Sequence, residues 1–553
     1  MREVGEVGTG WPPAPDRRIL GARAPPAASR GALAMAARTP LRVVLVKPSK
    51  YGRDGYVERF RRGFMPNSTL GYLASLTPAE VDGVPCETVT IDEYVRADLG
   101  YLDLLAADPD RRTLVALVGV QSHQFHRALD LAALARSRSV ACAVVGGPHS
   151  MTCDTAELQG RGVSFALAEA ELVWPAILRD ALAGALEPVY GGDRRWQERL
   201  EPPPLRPPSK RDLRRYAVRL MGIYPARGCP FTCNFCSVIK IAGRAMRSQP
   251  VATTLASLKA AQAAGVRRVM FTSDNFNKIP DLRALLEAMI DEGVRLPFFA
   301  QCDVQIEREP ALVELLARAG CFQMFVGVES FSREALSAAH KLHNKPERYA
   351  RIVELCREHG ITSHFSNILG FPGDTEASLR EHLATLRALG PDVASFYLLT
   401  PIPGTEQYGE FLAAGLITED NLDRFDGSAV TWRHPHLEPR RWEDLTFRAV
   451  REFYAARDVA AKLARLARGR RDFRTASALA AVLGYALQSR LAAAARTHPM
   501  AGGVGRVRRD READYLPLRR RTFGFDRAPL PANLPLSSAD EELNRRAKLK
   551  IAS

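Results

Sequence analysis

The amino-acid sequence predicts an α/β fold in two consecutive parts. An open, Rossmann-like parallel-sheet module over 41–200 is followed by a partial (β/α)6 TIM-type barrel over 218–430, with a mainly helical C-terminal region behind it. Short apolar runs alternate with helix-period segments in two successive series, the pattern of parallel sheets covered by helices. The runs end in glycine, polar or charged residues, as strands do when their carboxyl ends carry ligand loops. A stretch dense in Pro and Arg, without any period, divides the two series. At 553 residues and 46% apolar composition the chain can bury more than one core.

In chain order, residues 1–40 are rich in Pro, Ala, Gly and Arg and have no apolar segment before a cleavage site, so a disordered leader is expected rather than a signal peptide. Met35 offers an alternative start. Strands of the first module are expected at 41–48, 113–120, 140–145 and 163–167. They run into Lys47-Pro48-Ser49, Gln121-Ser122-His123, Gly146-Gly147-Pro148-His149 and Glu169-Ala170-Glu171. A linker spans 201–217, centred on 202–210. Barrel strands are expected at 268–272, 297–302, 323–328, 364–369 and 395–399, with helices such as 282–292 and 312–319 between them. The strand before 228 brings the count to six β/α units. Past 430 the period is helical, through 442–463 and an Ala-rich segment ending near Ala495, and 501–553 forms a basic, Pro- and Arg-rich tail.

Nine cysteines over this length, without a secretory signal, point to a reducing compartment and to thiols that are free or metal-bound. The longest apolar stretch, 475–487, is too short to span a bilayer, so a soluble or peripheral protein is expected. The net charge of +15 lies mostly in 431–553, with 26 Lys and Arg against 13 Asp and Glu, while 41–430 sums to −1. That distribution excludes polyanion binding by the middle of the chain, and no specific nucleic-acid partner is expected. The basic runs at 465–474 and 519–521 read as a solvated helix face and a disordered end, with contact to an acidic membrane as the alternative.

The chemistry is concentrated in Arg227-Gly228-Cys229-Pro230-Phe231-Thr232-Cys233-Asn234-Phe235-Cys236. Three thiolates on one loop reach three corners of a cubic iron–sulfur cluster, whereas closing a structural zinc site or a fully ligated cluster takes four. One iron is left open and can chelate an amino and a carboxylate group. Gly228 and Pro230 shape the loop, and no fourth Cys or His stands nearby at ligand spacing. A structural zinc site, a redox site and three buried cysteines are the alternatives.

This run resembles the signature of the radical S-adenosylmethionine superfamily, and 222–430 looks like its partial barrel. The resemblance implies a [4Fe-4S] cluster on Cys229, Cys233 and Cys236, and reductive cleavage of S-adenosylmethionine to a 5′-deoxyadenosyl radical. It also implies an electron donor such as flavodoxin or ferredoxin. Phe235 would pack beside the adenine. Asp274 and Asn275 stand where the family's Gly-Gly-Glu meets the methionine amino group, and that triplet is absent here. Glu329 and Ser330 resemble the ribose-contacting position. Ile368 to Gly370, leading into Phe-Pro-Gly-Asp, resemble the fifth-strand motif beside the adenine.

Residues 41–200, with Gly146-Gly147-Pro148-His149 and Glu169-Ala170-Glu171 followed by Trp174-Pro175, resemble the cobalamin-binding domain of the cobalamin-dependent class of that superfamily. The D-x-H-x-x-G run that supplies a histidine to cobalt is missing, which implies base-off cobalamin without a histidine ligand. Gln121, Ser122 and His123 are then candidates for lining the cobalt face, and Gly146 and Gly147 for backbone approach to the nucleotide tail. His123, His126 and His149 read equally as structural. The resemblance implies methylation of an unactivated carbon in a small-molecule substrate such as a natural product, lipid or tetrapyrrole. Oxidation, cyclisation or ring rearrangement are alternatives, as is a non-catalytic Fe–S or zinc interaction protein. Cys302 and Tyr397 either face substrate or pack, and Trp432, His434 and His436 either form a lid or pack on the barrel rim. A cytoplasmic enzyme is expected, with contact at the inner face of the membrane left open by the basic C-terminal region.

Overall fold

The computed structural model describes residues 40–105, 112–138, 142–469, 471–497 and 502–552, so the expected leader and Met35 lie outside the described residues. The first module is built from β1 (Leu41–Lys47), β2 (Arg59–Gly63), β3 (Glu80–Val81), β4 (Val84–Asp92), β5 (Thr113–Leu117), β6 (Cys142–Gly146), β7 (Ser164–Ala166) and β8 (Val189–Tyr190). Seven of these make one sheet in the order β3-β4-β1-β5-β6-β7-β8, parallel throughout except for β3. Helices such as Ser68–Leu76, Phe125–Arg138 and Ala170–Ala183 supply the cover. β1 and β5 are accordingly buried on both faces and read as unbroken apolar runs.

The strand order makes the Rossmann-like expectation specific. Counted over the parallel strands from β1 to β7 it is 2-1-3-4-5, the flavodoxin-like arrangement, because β4 enters as the second strand beside β1. β4 was not expected: only Ile91 in it is fully buried, so its alternating polar residues hide it in the sequence. At the switch point between β1 and β5, buried Lys47 donates from Nζ to Gln124 Oε1 at 2.7 Å and to the Gly119 carbonyl. Burial pushes the Lys47 ammonium down to about 8, against the pull of Asp92. Lys47 thus ties the end of β1 to the segment after β5.

The expected linker is packed. Leu205 is buried and its N–H donates to Ser257 Oγ at 2.9 Å, and Tyr216 donates to Asp92 at 2.8 Å. The second part comprises β9 (Leu220–Ile223), the short antiparallel pair β10 (Ala226–Arg227) and β11 (Arg247–Ser248), then β12 (Arg268–Phe271), β13 (Phe298–Cys302), β14 (Cys321–Glu329), β15 (Thr362–Leu369) and β16 (Val393–Leu398). Six strands form an all-parallel sheet in the order β9-β12-β13-β14-β15-β16, the sequential order of a partial barrel.

The C-terminal helices are Pro439–Phe453, Ala456–Arg468 and Thr475–Ala495. The helical period over 442–463 is divided between two helices at Tyr454, whose hydroxyl accepts from the Ala394 N–H and donates to the Ala394 carbonyl on β16. Thr475–Ala495 has 21 residues and is long and apolar enough to cross a membrane, which corrects the shorter segment expected, yet Ser477, Tyr485, Gln488 and Ser489 are buried against protein. Arg268 donates to Ser477 at 2.9 Å, and the Tyr485 ring lies 4.8 Å from His364. Arg474 is buried and donates to the carbonyls of Cys321 and His359, so the run 465–474 is more than a solvated face.

The tail is ordered too. β17 (Gly503–Val507) pairs antiparallel with β2, and Arg519, expected to be solvated, is fully buried on Asp130. The reason is charge: the first module holds Glu93 and Asp130 in its interior, and basic residues distant in sequence neutralise them.

Candidate active site

The site grows from the neck of the cysteine loop. Gly228 follows β10 at φ 101°, and a Cβ there would stand 2.1 Å from the Ala245 carbonyl oxygen, so only glycine fits. Its N–H donates to Asp274 Oδ2 at 2.8 Å. The Cys229 N–H donates to the Gly243 carbonyl at 3.1 Å, Arg244 donates to Pro230 O at 2.8 Å, and Asn234 donates to Ala338 O at 3.0 Å. The Phe231 ring stacks on His343 with centroids 3.6 Å apart. The loop is therefore fixed without a disulfide, and Cys229, Cys233 and Cys236 are free thiols. Burial pushes Cys229 up to about 11 and Cys236 up to about 12. Such thiols stay protonated unless a cation takes up their charge, which is the condition for binding metal.

Around the loop stand the carboxyl ends of the barrel strands. Asn275, after β12, donates to Asp303 Oδ2 at 2.9 Å and lies 3.9 Å from Cys229 Sγ. Its Oδ1 is buried without a partner among the described residues, as is Ser273 Oγ. These two acceptors suit an ammonium group beside the cluster loop. Asp274 serves the loop backbone, and burial pushes its carboxyl up to about 6.

Glu329 ends β14 in the left-handed region, at φ 61°, where the register with β15 shifts between Gly327 and Glu329. Its Oε1 accepts from Lys341 at 2.9 Å and its Oε2 from Ser366 at 3.0 Å. Lys341 Nζ lies 5.7 Å from the centre of the Phe235 ring, so this pair borders the aromatic side of the loop. Ser330 Oγ accepts from the Ser332 N–H, an ordinary local turn. Ile368 is half-buried at the end of β15. The backbone N–H groups of Gly370 and Phe371 both donate to Asp374, which closes the Phe-Pro-Gly-Asp turn. Lys341 and Ser366 were missed in the sequence, because Lys341 sits in a loop without period and Ser366 in an apolar strand.

Lower in the barrel, buried His364 accepts at Nδ1 from Gln323 at 2.8 Å and donates from Nε2 to Ser395 at 2.7 Å. Burial pushes it down to about 3, so it is a neutral, structural imidazole. Cys302 is buried in the hydrophobic core, and Tyr397 is half-buried on β16. Trp432 donates to Leu399 O, and His434 donates to Phe371 O while its Nδ1 accepts from the His436 and Leu437 N–H groups. This aromatic cluster packs on the rim.

On the first module, a cavity of about 240 Å³ opens between the sheet and the barrel. Leu73, Val118, Val144, Ala166 and Trp174 make it apolar within, while Glu169, Glu171, Arg227 and Asp274 stand where the two parts meet. Gly146 and Gly147 line it, and Gln121, Ser122 and His123 do not. Ser122 instead meets His149 Nδ1 at 3.0 Å, and the His149 ring packs 3.9 Å from Phe125. His126 Nε2 accepts from the Ala528 N–H, and its Nδ1 lies 3.4 Å from Asp423 Oδ1 without a hydrogen bond among the described residues. Glu169 and Glu171 clamp the neck: Arg247 bonds Glu169 at 2.8 and 2.9 Å, and Arg227 pairs with Glu169 at 3.1 Å and with Glu171 at 2.9 Å.

Residues 223–386 match the Radical SAM superfamily. The free cysteine triad on its fixed loop lies within this matched segment, so residues 223–386 carry a Radical SAM domain, the family that uses a [4Fe-4S] cluster and S-adenosylmethionine. Among relatives it is similar to bacteriochlorophyllide d C-12(1)-methyltransferase of Chlorobaculum tepidum, with 27% identity over 54% of this chain and 64% of that one, just under two thirds of the relative. It is also similar to the C-8(2)-methyltransferase of the same organism, with 24% identity over 70% of this chain and 86% of that one. Among solved structures it resembles TsrM of Kitasatospora setae with cobalamin and a [4Fe-4S] cluster bound, with TM-score 0.54 and 19% identity over 74% of this chain and 85% of that one. OxsB with aqua-cobalamin and S-adenosylmethionine bound gives TM-score 0.55 and 13% identity over 93% of this chain and 81% of that one. At these identities the likeness is one of fold.

Proposed function

We propose that the protein is a cobalamin-dependent radical S-adenosylmethionine C-methyltransferase that acts on an unactivated carbon of a small molecule. The observation that carries this reading is the position of Asp274: it lines the cavity of the first module and also holds the Gly228 N–H at the start of the cysteine loop. A group seated in that cavity and a cluster on that loop would thus share one wall. The names of the relatives, which include a hopanoid C-2 methylase as well as the bacteriochlorophyllide enzymes, support methyl transfer to carbon.

When bound, the cluster and S-adenosylmethionine supply a 5′-deoxyadenosyl radical able to take hydrogen from such a carbon, and cobalamin supplies the methyl group. Cys229, Cys233 and Cys236 would hold three irons and leave the fourth open. Asn275 Oδ1 and Ser273 Oγ offer acceptors to the cofactor's ammonium group, and Phe235 an apolar surface to its adenine. The apolar interior of the cavity suits a flat base, with Gly146 and Gly147 in its lining. The neutral imidazole of His364 packs against the Tyr485 ring lower in the barrel, and Trp432, His434 and Trp442 pack together at the rim.

The test is an anaerobic assay of cluster-reconstituted protein with dithionite and S-adenosylmethionine, with and without hydroxocobalamin. Retained cobalamin after desalting, and deoxyadenosine formation that Cys233→Ala reduces to background, are expected. Deoxyadenosine without retained cobalamin would sink the methyltransferase reading in favour of oxidation or rearrangement.

A further inference from the structure

The helix Thr475–Ala495 presents two faces of different character. One is buried against the barrel through Ser477, Val482, Tyr485 and Ser489. On the other, Leu483, Leu487 and Leu491 are 56%, 59% and 50% exposed, and their spacing of four residues sets them in one stripe. Ala476, Ala480 and Ala494 are exposed on the same side, and Phe473, just ahead of the helix, is 42% exposed. Isolated exposed leucines need no explanation, but a continuous stripe on one helix marks a surface that meets something apolar.

The surrounding charge selects the occupant. Residues 456–496 hold nine Lys and Arg against two Asp. Both aspartates are engaged, Asp458 with Arg387 at 3.1 Å and Asp472 with Arg474 at 2.7 Å. Arg457, Arg468, Arg471 and Arg490 are exposed and form no ion pair among the described residues. A second copy of this chain on the stripe would bring like charges together, whereas an anionic bilayer satisfies the leucines and the arginines at once.

We propose that the face of the helix Thr475–Ala495 carrying Leu483, Leu487 and Leu491 docks on an anionic lipid surface. The leucines enter the boundary of the acyl chains, and the flanking arginines meet headgroup phosphates. Docking does not depend on the methyltransferase reading, and its test needs no substrate. Purified full-length protein is sedimented with vesicles of phosphatidylcholine alone or doped with phosphatidylglycerol. Retention on the doped vesicles is expected, weakened by salt, and the double variant Leu483→Glu/Leu487→Glu should cut the bound fraction by about tenfold or more, given the apolar area withdrawn and the charge added. Because both positions are exposed, the melting temperature should not move, and if it does, Leu483→Gln/Leu487→Gln gives the same reading. Undiminished binding by either variant would overturn the proposal. So would failure of the wild type to pellet with doped vesicles, or a wild-type dimer in solution that the variants make monomeric.

Discussion

Gly370 shows how tightly single atoms are specified around this site. It sits at φ 94°, and a Cβ there would fall 2.0 Å from Cζ2 of Trp442, whose Nε1 donates to the Leu369 carbonyl at 3.2 Å. Gly370→Ala therefore combines a left-handed backbone penalty with overpacking against a fully buried tryptophan, and should cost about 2–4 kcal/mol in urea unfolding of the intact chain. A cost below about 1 kcal/mol would mean that the rim rearranges freely around Trp442. The glycine was legible in the sequence because it belongs to a local motif, and the cysteine triad was legible for the same reason. Glu329 was legible as a strand end and as a likeness to the ribose-contacting position. Its left-handed backbone and its lysine and serine donors depend on the register shift between β14 and β15, which no local pattern encodes. Ser122 and His123 stand past a strand, where ligand contact is expected; Ser122 meets His149 Nδ1 at 3.0 Å, and neither residue lines the cavity.

At the scale of elements, the six barrel strands were legible because each is a short apolar run between helices of clear period. β4 was not, since it is half-exposed and its membership of the sheet rests on pairing with β1 from Leu41↔Cys86 to Lys47↔Asp92. That strand order places β5, β6 and β7 side by side, and the cavity lies along their ends under the helices Ser68–Leu76 and Ala170–Ala183. If the cavity receives the base of cobalamin, filling it should separate the two cofactors. Ala166→Phe on β7 places a ring in a space of about 240 Å³. Cobalamin retention should then fall at least tenfold, the order expected when a snug apolar pocket is blocked. Cluster content and deoxyadenosine formation should stay near wild type, because Ala166 lies on β7 of the first module and not on the cysteine loop. Equal loss of cluster and cobalamin would show that the variant damages the sheet instead.

At the scale of the whole molecule, the basic tail is part of the first module's interior. Arg519 binds Asp130 through two parallel bonds, at 2.8 Å from Nε and 2.6 Å from Nη2, across 389 residues of sequence, and also reaches Glu512 at 2.7 Å. Beside it, Arg59 and Arg127 share Glu93 at 2.8 and 2.6 Å, and Arg59 also pairs with Asp510 in the tail. Such pairing over hundreds of residues is invisible to periodicity, and this is why the tail read as a disordered end. Its energetics can be tested with a cycle. Arg519→Met leaves the Asp130 carboxylate buried with, among the described residues, only the Tyr51 hydroxyl as a donor, and should cost about 3–5 kcal/mol of stability. Asp130→Asn alone leaves the guanidinium paired with Glu512 and should cost less, about 1–3 kcal/mol. The double variant removes both charges and leaves a neutral amide that can still bond Tyr51, so it should recover most of the loss. Urea midpoints of the four proteins at constant m-value decide the matter. If the two single losses simply add in the double variant, Arg519 and Asp130 do not act as a pair, and the tail is held to the module by packing and by β17 on β2 instead.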